Sequence, residues 1–264
     1  MYRRFRKEVA SAGLPETPGP AGAVTSAELD ALPEPARRYF EFMQVVGRPR
    51  DWSFRLAFTG RFRMGPERRW MRCRTWQYNH RPALARIFHI RIRLGGVVPV
   101  IARDTYVEGR GRMLVRLLDL FTIADGKGEE YDIGELVTYL NDAVLIAPTM
   151  LLAPEVSFAP AGPDSFGVSL ADHGRTVSAV VTVDEHGAPA DFATTDRFCA
   201  DPRDPKRLTR ARWTTPVSGW RFADGRPLFT SGQAIWHLAA GPFPYADFRP
   251  VPGSLAFNVA PGAV

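Results

Sequence analysis

Alternation of apolar and polar residues with a period of two is the feature of this sequence that most restricts its fold. From Trp52 to Met64 the large apolar side chains occupy the even positions, and the odd positions are mostly arginine, serine and threonine. A strand with one buried face has this pattern, because successive side chains point to opposite faces of a sheet. The segment is therefore predicted to be a β-strand with one face in the core.

Similar strand patterns recur along the chain and are separated by glycine-containing turns. They cover residues 70–78, 85–94, 97–108, 112–124, 177–183, a segment ending near 198, 208–215, 219–222, 231–239 and 246–251. Short strands at this spacing are typical of an antiparallel meander, and strands do not alternate with helices as they would in a parallel sheet. Because twist accumulates, about ten such strands are expected to curl.

A few helices are predicted to cover this sheet. Thr25 and Glu28 have the spacing of a capping box, and Pro35 suits the first turn of a helix over residues 35–46. A helix over 131–144 is predicted to begin with Asp132 as its N-cap. The fold class is thus mainly β, an α+β protein with a large curled antiparallel sheet or half-barrel of about ten strands covered by two or three helices.

The chain is predicted to consist of a flexible tail and one domain. Residues 1–24 are rich in proline, glycine and alanine and show no periodicity, which is typical of a mobile tail. Residues 25–264 are predicted to form a single β-rich domain. Hydrophobic residues make up 45% and charged residues 23% of the chain, which excludes wholesale disorder and supplies a sizeable core.

Charge and hydropathy also restrict partners and location. The net charge is +6, but many arginines fall on the polar faces of strands, where solvation explains them. We predict no specific nucleic-acid binding and, at most, weak peripheral membrane contact through the basic N-terminus, Arg3 to Lys7. No apolar window approaches the ~18–20 residues of a membrane span, and no apolar region follows the basic start. A cytoplasmic location is therefore expected, without a transmembrane segment.

Familiar catalytic motifs do not occur in this sequence. The five histidines lack metal-ligand spacing, and neither a G-x-S-x-G elbow nor a G-x-x-x-x-G-K phosphate loop is present. We therefore predict no metal and no cofactor, and no catalytic residue is assigned.

Polar residues on the predicted elements supply candidate ligand-binding positions. Glu135, Tyr139 and Asp142 share one edge of the second helix next to Asn141, and this edge would face a cavity mouth if the helix is a lid. A capping role explains Glu135 equally well. Asp104 and Tyr106 lie on one strand face, where ion pairs with arginines are the alternative interpretation.

Several segments resemble a known bacterial family. The segments are 32–40, 134–148, 194–198, 212–217, 234–245 and 257–259. In this order they resemble a family of uncharacterised proteins, a domain of unknown function, which is similar to β half-barrel carriers of lipids or lipoproteins. The resemblance implies no catalytic assignment. It adds Asp196 and Arg197 to Glu135, Asn141 and Asp142 as candidate site residues, although Asp196 and Arg197 also suit a structural ion pair.

The leading functional prediction is a non-enzymatic binder or carrier of a hydrophobic or amphipathic small molecule. The curled sheet would hold the tail of that molecule, and polar residues of the covering helix would fix its head. The alternative is an enzyme of unrecognised type that uses a pocket of Glu135, Asp142 and Arg197. A nucleic-acid or anionic-membrane partner is the third hypothesis, and it predicts a continuous basic face.

Overall fold

Strands dominate the computed structural model of this chain, which describes residues 1–16, 22–201, 207–223 and 225–264. Their bounds follow the alternation of the sequence closely in the first half. In chain order the strands are β1 Ser53–Phe62, β2 Met71–His80, β3 Ala85–Leu94, β4 Val98–Val107, β5 Arg110–Leu117, β6 Phe121–Lys127, β7 Val156–Gly162, β8 Ser165–Asp172, β9 Arg175–Val183, β10 Pro189–Ala200, β11 Leu208–Thr214, β12 Val217–Ser218, β13 Arg221–Ala223, β14 Arg226–Leu228, β15 Ser231–Leu238, β16 Gly241–Pro250 and β17 Ala256–Phe257.

Helices are few and short except for one. The α-helices are α1 Tyr2–Ala10, α2 Glu34–Phe42 and α3 Glu129–Ile146, and 3₁₀ helices lie at Ser26–Glu28, Pro148–Leu151 and Pro261–Ala263. The predicted capping box is present, since the backbone N–H of Thr25 donates to Glu28 Oε2 at 2.8 Å.

Fifteen strands form one antiparallel sheet. Its order is β6-β5-β4-β3-β2-β1-β16-β15-β11-β10-β9-β8-β7, with β12 and β17 pairing beside this path, and β13 and β14 form a separate hairpin. The sheet curls into a half-barrel, as predicted, and its edges β6 and β7 do not pair with each other. It has more strands than predicted. The predicted strand 112–124 is the β5–β6 hairpin, and β7 and β8 lie in a segment without a strand prediction, although Phe166, Val168 and Leu170 of β8 alternate with small or polar residues.

The helix α3 occupies the concave side of the sheet and is buried along almost its whole length. It packs on strands from both halves of the sheet, among them β5 and β10. The phenol of Tyr39, from α2, donates to the carbonyl of Val144 at 2.8 Å and ties the two helices together. A helix buried on all sides is the central element of the core rather than an external lid.

The predicted start of this helix was wrong by about one turn. Gly128 is the N-cap, and Asp132 lies inside the helix with 1% of its surface exposed. Its carboxylate accepts hydrogen bonds from the backbone N–H of Gly111 and from Arg175 Nη2, both at 2.7 Å. Asp132 therefore joins α3 to the sheet instead of capping it.

The predicted irregular tail is wrong for its first part. Residues Tyr2–Ala10 form α1, in which Phe5 and Val9 are buried against the convex face of the sheet. Glu8 lies 2.7 Å from His89 Nε2 and 3.1 Å from Arg103 Nη1, both on that face. Residues 17–21 of the predicted tail lie outside the described residues, and the flexibility of the segment stays a prediction.

The cysteines and the lengths of the helices complete the description of the fold. Cys73 is buried, Cys199 is half-buried, and both are free thiols. Within the described ranges, the helices include none with the length and apolar composition that crossing a bilayer requires.

Candidate functional site

The concave face of the sheet and α3 enclose a cavity of about 570 Å³. Its wall comes from β1 to β5 on one side and from β10, β11, β15 and β16 on the other. A cavity of this size lies within the range of ~300–1,000 Å³ that ligand pockets usually have.

The register of neighbouring strands sorts polar and apolar side chains into opposite ends of the cavity. Residues directly opposite each other across an antiparallel pair point to the same face, so each row of partners forms one layer. From the polar to the apolar end of this face, the layers across β2, β3 and β4 are Asn79–Arg86–Tyr106, Gln77–Phe88–Asp104, Thr75–Ile90–Ala102 and Cys73–Ile92–Val100. The members of these layers that line the cavity are Gln77, Arg86, Phe88, Ile90, Ile92, Val100, Ala102 and Asp104. The cavity therefore has a charged end and a hydrocarbon end.

Arg86 is the centre of a buried ionic cluster at the polar end. Its Nε donates to Asp142 Oδ2 at 2.7 Å and its Nη1 to Glu135 Oε2 at 3.1 Å. Asn79 donates to the same Asp142 oxygen at 3.3 Å, and Gln77 donates to Asn79 at 2.9 Å. The three charged side chains are at most 9% exposed. We call Arg86, Glu135 and Asp142 the Arg86 cluster.

Burial dominates the electrostatics of this cluster. It raises the pKa of Glu135 from its ordinary value of 4.5 to about 7; the Asp104 carboxylate adds to this rise, whereas Arg86 opposes it. Burial likewise raises the pKa of Asp104. Burial alone would lower the pKa of Arg86, but Asp142 and Glu135 outweigh it and the pKa is raised. The guanidinium therefore stays charged, and Glu135 is poised to hold a proton near neutral pH.

A β-bulge in β10 directs Arg197 into the cavity. The pairing of β10 with β11 shifts between Thr194 and Arg197, and a bulge of this kind changes the face to which the following side chain points. The Arg197 guanidinium carbon lies 4.3 Å from the ring centre of Trp213 and 5.5 Å from that of Trp236. Arg197 is thus held by aromatic rings.

Two shielded polar atoms in the cavity wall have no hydrogen-bond partner in the part of the chain that the structure describes. These are Arg197 Nε, a donor, and Asp104 Oδ1, an acceptor. Arg197 forms no ion pair with any of the described residues. Buried polar groups are usually paired, so an unpaired donor and acceptor in one cavity wall require an explanation.

The structure brings five of the eight predicted site residues to this cavity. They are Asp104, Glu135, Asn141, Asp142 and Arg197. Asn141 is held by Thr215, whose hydroxyl donates to its Oδ1 at 2.5 Å. The capping interpretation of Glu135 does not hold, because its carboxylate pairs with Arg86.

The other three predicted residues do not line the cavity. The Tyr139 hydroxyl points into the core, 3.9 Å from the sulfur of Met150. Tyr106 donates to Asp172 at 2.6 Å. Asp196 accepts the backbone N–H of Ser178 at 2.9 Å and faces Arg210 at 3.7 Å, so it forms no ion pair with Arg197.

The sequence interpretation missed Arg86, which organises the site. Its signal was present: in β3, Arg86 shares the parity of Phe88, Ile90 and Ile92, which places a charge on an apolar face. Such a residue needs a buried partner. Ile87 and His89 blurred the signal, because this strand is buried on both faces.

The polar groups that line the cavity are mainly carboxylates, guanidinium groups and amides. No histidine is among the described residues that line the cavity. Over the part of the chain that the structure describes, no group of histidines, cysteines and carboxylates could hold a metal ion. Both carboxylates of the Arg86 cluster are occupied by the guanidinium. Arg197 and Asp104 also line the cavity, and each has a shielded polar atom without a hydrogen-bond partner among the described residues.

Fold and site together define a class, that of curled antiparallel half-barrels with an internal cavity beneath a central helix. Within that class, the chain belongs to a family of unknown function, DUF6544, whose model matches residues 22–248. The membership in a family of unknown function that the sequence motifs predict is confirmed. A comparison with curated proteins finds no match.

Three solved structures are similar to this chain in shape, each at 12% identity. A LolA superfamily protein from Nitrosomonas europaea has a TM-score of 0.41, with 87% of this chain and 92% of that chain covered. A DUF1329 family protein from Desulfovibrio piger has a TM-score of 0.46, with 90% and 95% covered. A putative outer membrane lipoprotein-sorting protein domain from Vibrio parahaemolyticus has a TM-score of 0.39, with 78% and 85% covered.

Proposed function

We propose that this protein binds and carries an amphipathic small molecule in the half-barrel cavity and performs no chemistry on it. The layering of the cavity wall supports this proposal. Side chains such as Ile90, Ile92 and Val100 form a hydrocarbon end, whereas Asp104 and Arg197 belong to a polar one. A ligand with an apolar tail and a polar head matches both ends at once, because each part leaves water for a like environment.

The unpaired donor and acceptor at the polar end indicate which head group such a ligand would carry. Arg197 Nε offers a hydrogen to an acceptor, and Asp104 Oδ1 accepts a hydrogen from a donor. A head that carries both, such as a carboxylic acid or a hydroxyl-bearing headgroup, would satisfy the two groups together. Leaving either atom unpaired in the loaded protein would cost about 1–3 kcal/mol, which favours heads of this kind over purely apolar ligands.

The two carboxylates on which the enzyme alternative depends are engaged in ion pairs with Arg86. A pocket of Glu135, Asp142 and Arg197 requires free carboxylates, but Arg86 engages both of them at hydrogen-bond distance. Neither the geometry of the described residues nor the comparisons favour catalysis, and we do not propose it. The cytoplasmic location stays a prediction from the sequence.

A cavity-filling variant tests the carrier function. Ala102 lies in the apolar part of the wall, so Ala102→Trp places a large ring where the tail of the ligand would lie. We expect a fluorescent long-chain fatty acid to bind the wild-type protein and to bind this variant at least tenfold more weakly. The matched control is Ala171→Trp at an exposed position of β8, which should bind as the wild type does.

Native mass spectrometry of the purified protein gives an independent readout. Co-purified amphiphiles are expected on the wild-type protein and on Ala171→Trp, and they should be missing from Ala102→Trp. Equal fatty-acid affinity of the two tryptophan variants, with both folded by circular dichroism, would contradict the proposal.

A further inference from the structure

Exposed apolar side chains concentrate at one end of the sheet. Of the eleven large hydrophobic residues that are exposed in the described part of the chain, six lie on two hairpins, β3–β4 and β5–β6. Surface patches of this kind usually mark a site of interaction. We call the six together the tip surface: Leu94, Val97, Leu118, Leu120, Phe121 and Ile123.

The two hairpins adjoin each other at the hydrocarbon end of the cavity. The backbone N–H of Leu118 donates to the carbonyl of Pro99 at 2.9 Å, which joins the two tips. Val100 pairs with Ile92 on one side and with Leu117 on the other. Because Ile92 and Val100 line the cavity, its apolar end lies directly behind the tip surface.

A basic helix lies beside the tip surface. Arg4 of α1 forms an ion pair with Asp119 in the β5–β6 turn. The two nearby carboxylates, Asp119 and Glu8, are already paired with cations. The cations of α1 and of the strand ends near the two tips outnumber these two carboxylates, and they are Arg3, Arg4, Arg6, Lys7, Arg91, Arg93 and Arg116. Apolar side chains next to a cationic border match the surface of an anionic bilayer.

The backbone holds the tip of the second hairpin in an unfavourable conformation. Leu118 and Asp119, the central residues of its turn, have φ values of 54° and 62°. Asparagine and glycine are preferred in such turns, because a positive φ is costly for a leucine. Leu118 nonetheless has 46% of its surface exposed. A strained turn that presents an apolar side chain to solvent is typical of a site with a function.

We propose that the tip surface docks the protein on an anionic lipid bilayer, with the residues of the two hairpins entering the headgroup region and α1 contacting the acidic headgroups. In this position the hydrocarbon end of the cavity faces the membrane. The docking itself is independent of the carrier function. The consequence that a ligand passes between bilayer and cavity at this end rests on the carrier function proposed above.

Vesicle flotation with two matched variants tests the docking. Phe121 and Phe222 have nearly equal exposure, 64% and 65%, but Phe222 lies on the separate β13–β14 hairpin. The wild-type protein is expected to float with phosphatidylcholine vesicles that contain phosphatidylglycerol, and to do so less as salt rises. Phe121→Asp should reduce binding by about tenfold or more, since a phenylalanine that enters the bilayer is replaced by a charge. Phe222→Asp should bind as the wild type does.

Charge variants of the helix supply a second measurement. Arg3→Gln and Arg6→Gln should each weaken binding by about fivefold, as expected for removal of one cation near an anionic surface. Both positions are exposed, so folding should not change. Absence of wild-type flotation, or equal loss for Phe121→Asp and Phe222→Asp, would overturn the proposal. A dimer in light scattering that Phe121→Asp abolishes would also overturn it, because the hairpins would then bind a second copy.

Fatty-acid binding in vesicle-free solution separates the two proposals. Phe121→Asp should bind the fluorescent fatty acid as the wild type does and should take it from vesicles more slowly. Ala102→Trp should float normally but remain unloaded. If Phe121→Asp loses solution binding as well, the tip surface acts on the cavity and not as a membrane contact. If Ala102→Trp loads normally, the carrier function fails while the docking stands.

Discussion

Two arginines face the same cavity with opposite kinds of partner. Arg86 donates to two buried carboxylates and is 5% exposed, so its charge is neutralised within the protein. Arg197 lies over the rings of Trp213 and Trp236, and its Nε lacks a hydrogen-bond partner among the described residues. A charged side chain in a cavity wall can therefore either stabilise the fold through internal ion pairs or remain available to a ligand. The occupancy of its hydrogen-bonding groups distinguishes the two.

The largest expected effect is the loss of stability on replacing Arg86, the arginine whose charge is neutralised within the protein. Arg86→Met leaves Glu135 and Asp142 buried without their cation, which should lower the free energy of unfolding by about 3–5 kcal/mol. Denaturant unfolding followed by circular dichroism measures this value. The triple variant that adds Glu135→Gln and Asp142→Asn should recover most of the loss, because no uncompensated charge remains. A loss of less than about 1 kcal/mol for Arg86→Met would show that the ion pairs contribute little.

A smaller effect on the free energy of unfolding is expected from a change of pH, because Glu135 titrates. Its pKa is raised from 4.5 to about 7 in the folded protein, so folding favours the protonated acid. The contribution of this group is fully present below about pH 4.5 and is lost as pH rises towards 7, at roughly 1.4 kcal/mol per unit of pKa difference. His80 acts in the opposite direction, because burial lowers its pKa. The test is therefore the difference between wild type and Glu135→Gln, measured by unfolding at several pH values.

The expected difference has a definite sign. Relative to Glu135→Gln, the wild-type protein should become less stable as pH rises from 4.5 to 7. A stability difference that stays constant over this range would mean that Glu135 is ionised throughout and that Arg86 outweighs its burial.

The sequence predicted the parts of this site that depend on local patterns, but not the contacts between residues far apart in the chain. Strand alternation predicted the curled sheet, and polar residues of one helix placed Glu135, Asn141 and Asp142 near its cavity. The partner of these carboxylates comes from β3, and only the register of distant strands brings Arg86 there. Helix α1 has no clear sign in the sequence because it buries just two residues, Phe5 and Val9, and their burial depends on the sheet.

The bulge in β10 is a further limit on sequence prediction, and it leads to the last test. Strict alternation from the buried Phe192 would place Asp196 on the inner face of β10 and Arg197 on the outer one. The register shift after Thr194 directs Arg197 inward and leaves Asp196 with Arg210 on the other face. The two neighbours thus form a matched pair for mutation.

The smallest expected effect on stability accompanies the clearest expected effect on binding. Arg197→Leu removes the cation–π contacts with Trp213 and Trp236, which should cost about 1 kcal/mol of stability, and it removes the unpaired donor of the cavity. Fatty-acid affinity should fall about tenfold, the loss expected for a hydrogen bond to a charged group. Asp196→Asn should leave affinity unchanged, since its side chain bonds Ser178 outside the cavity. Equal losses of fatty-acid affinity in the two variants would place the ligand away from Arg197. The distinction between Arg86, which stabilises the fold, and Arg197, which binds the ligand, would then be wrong.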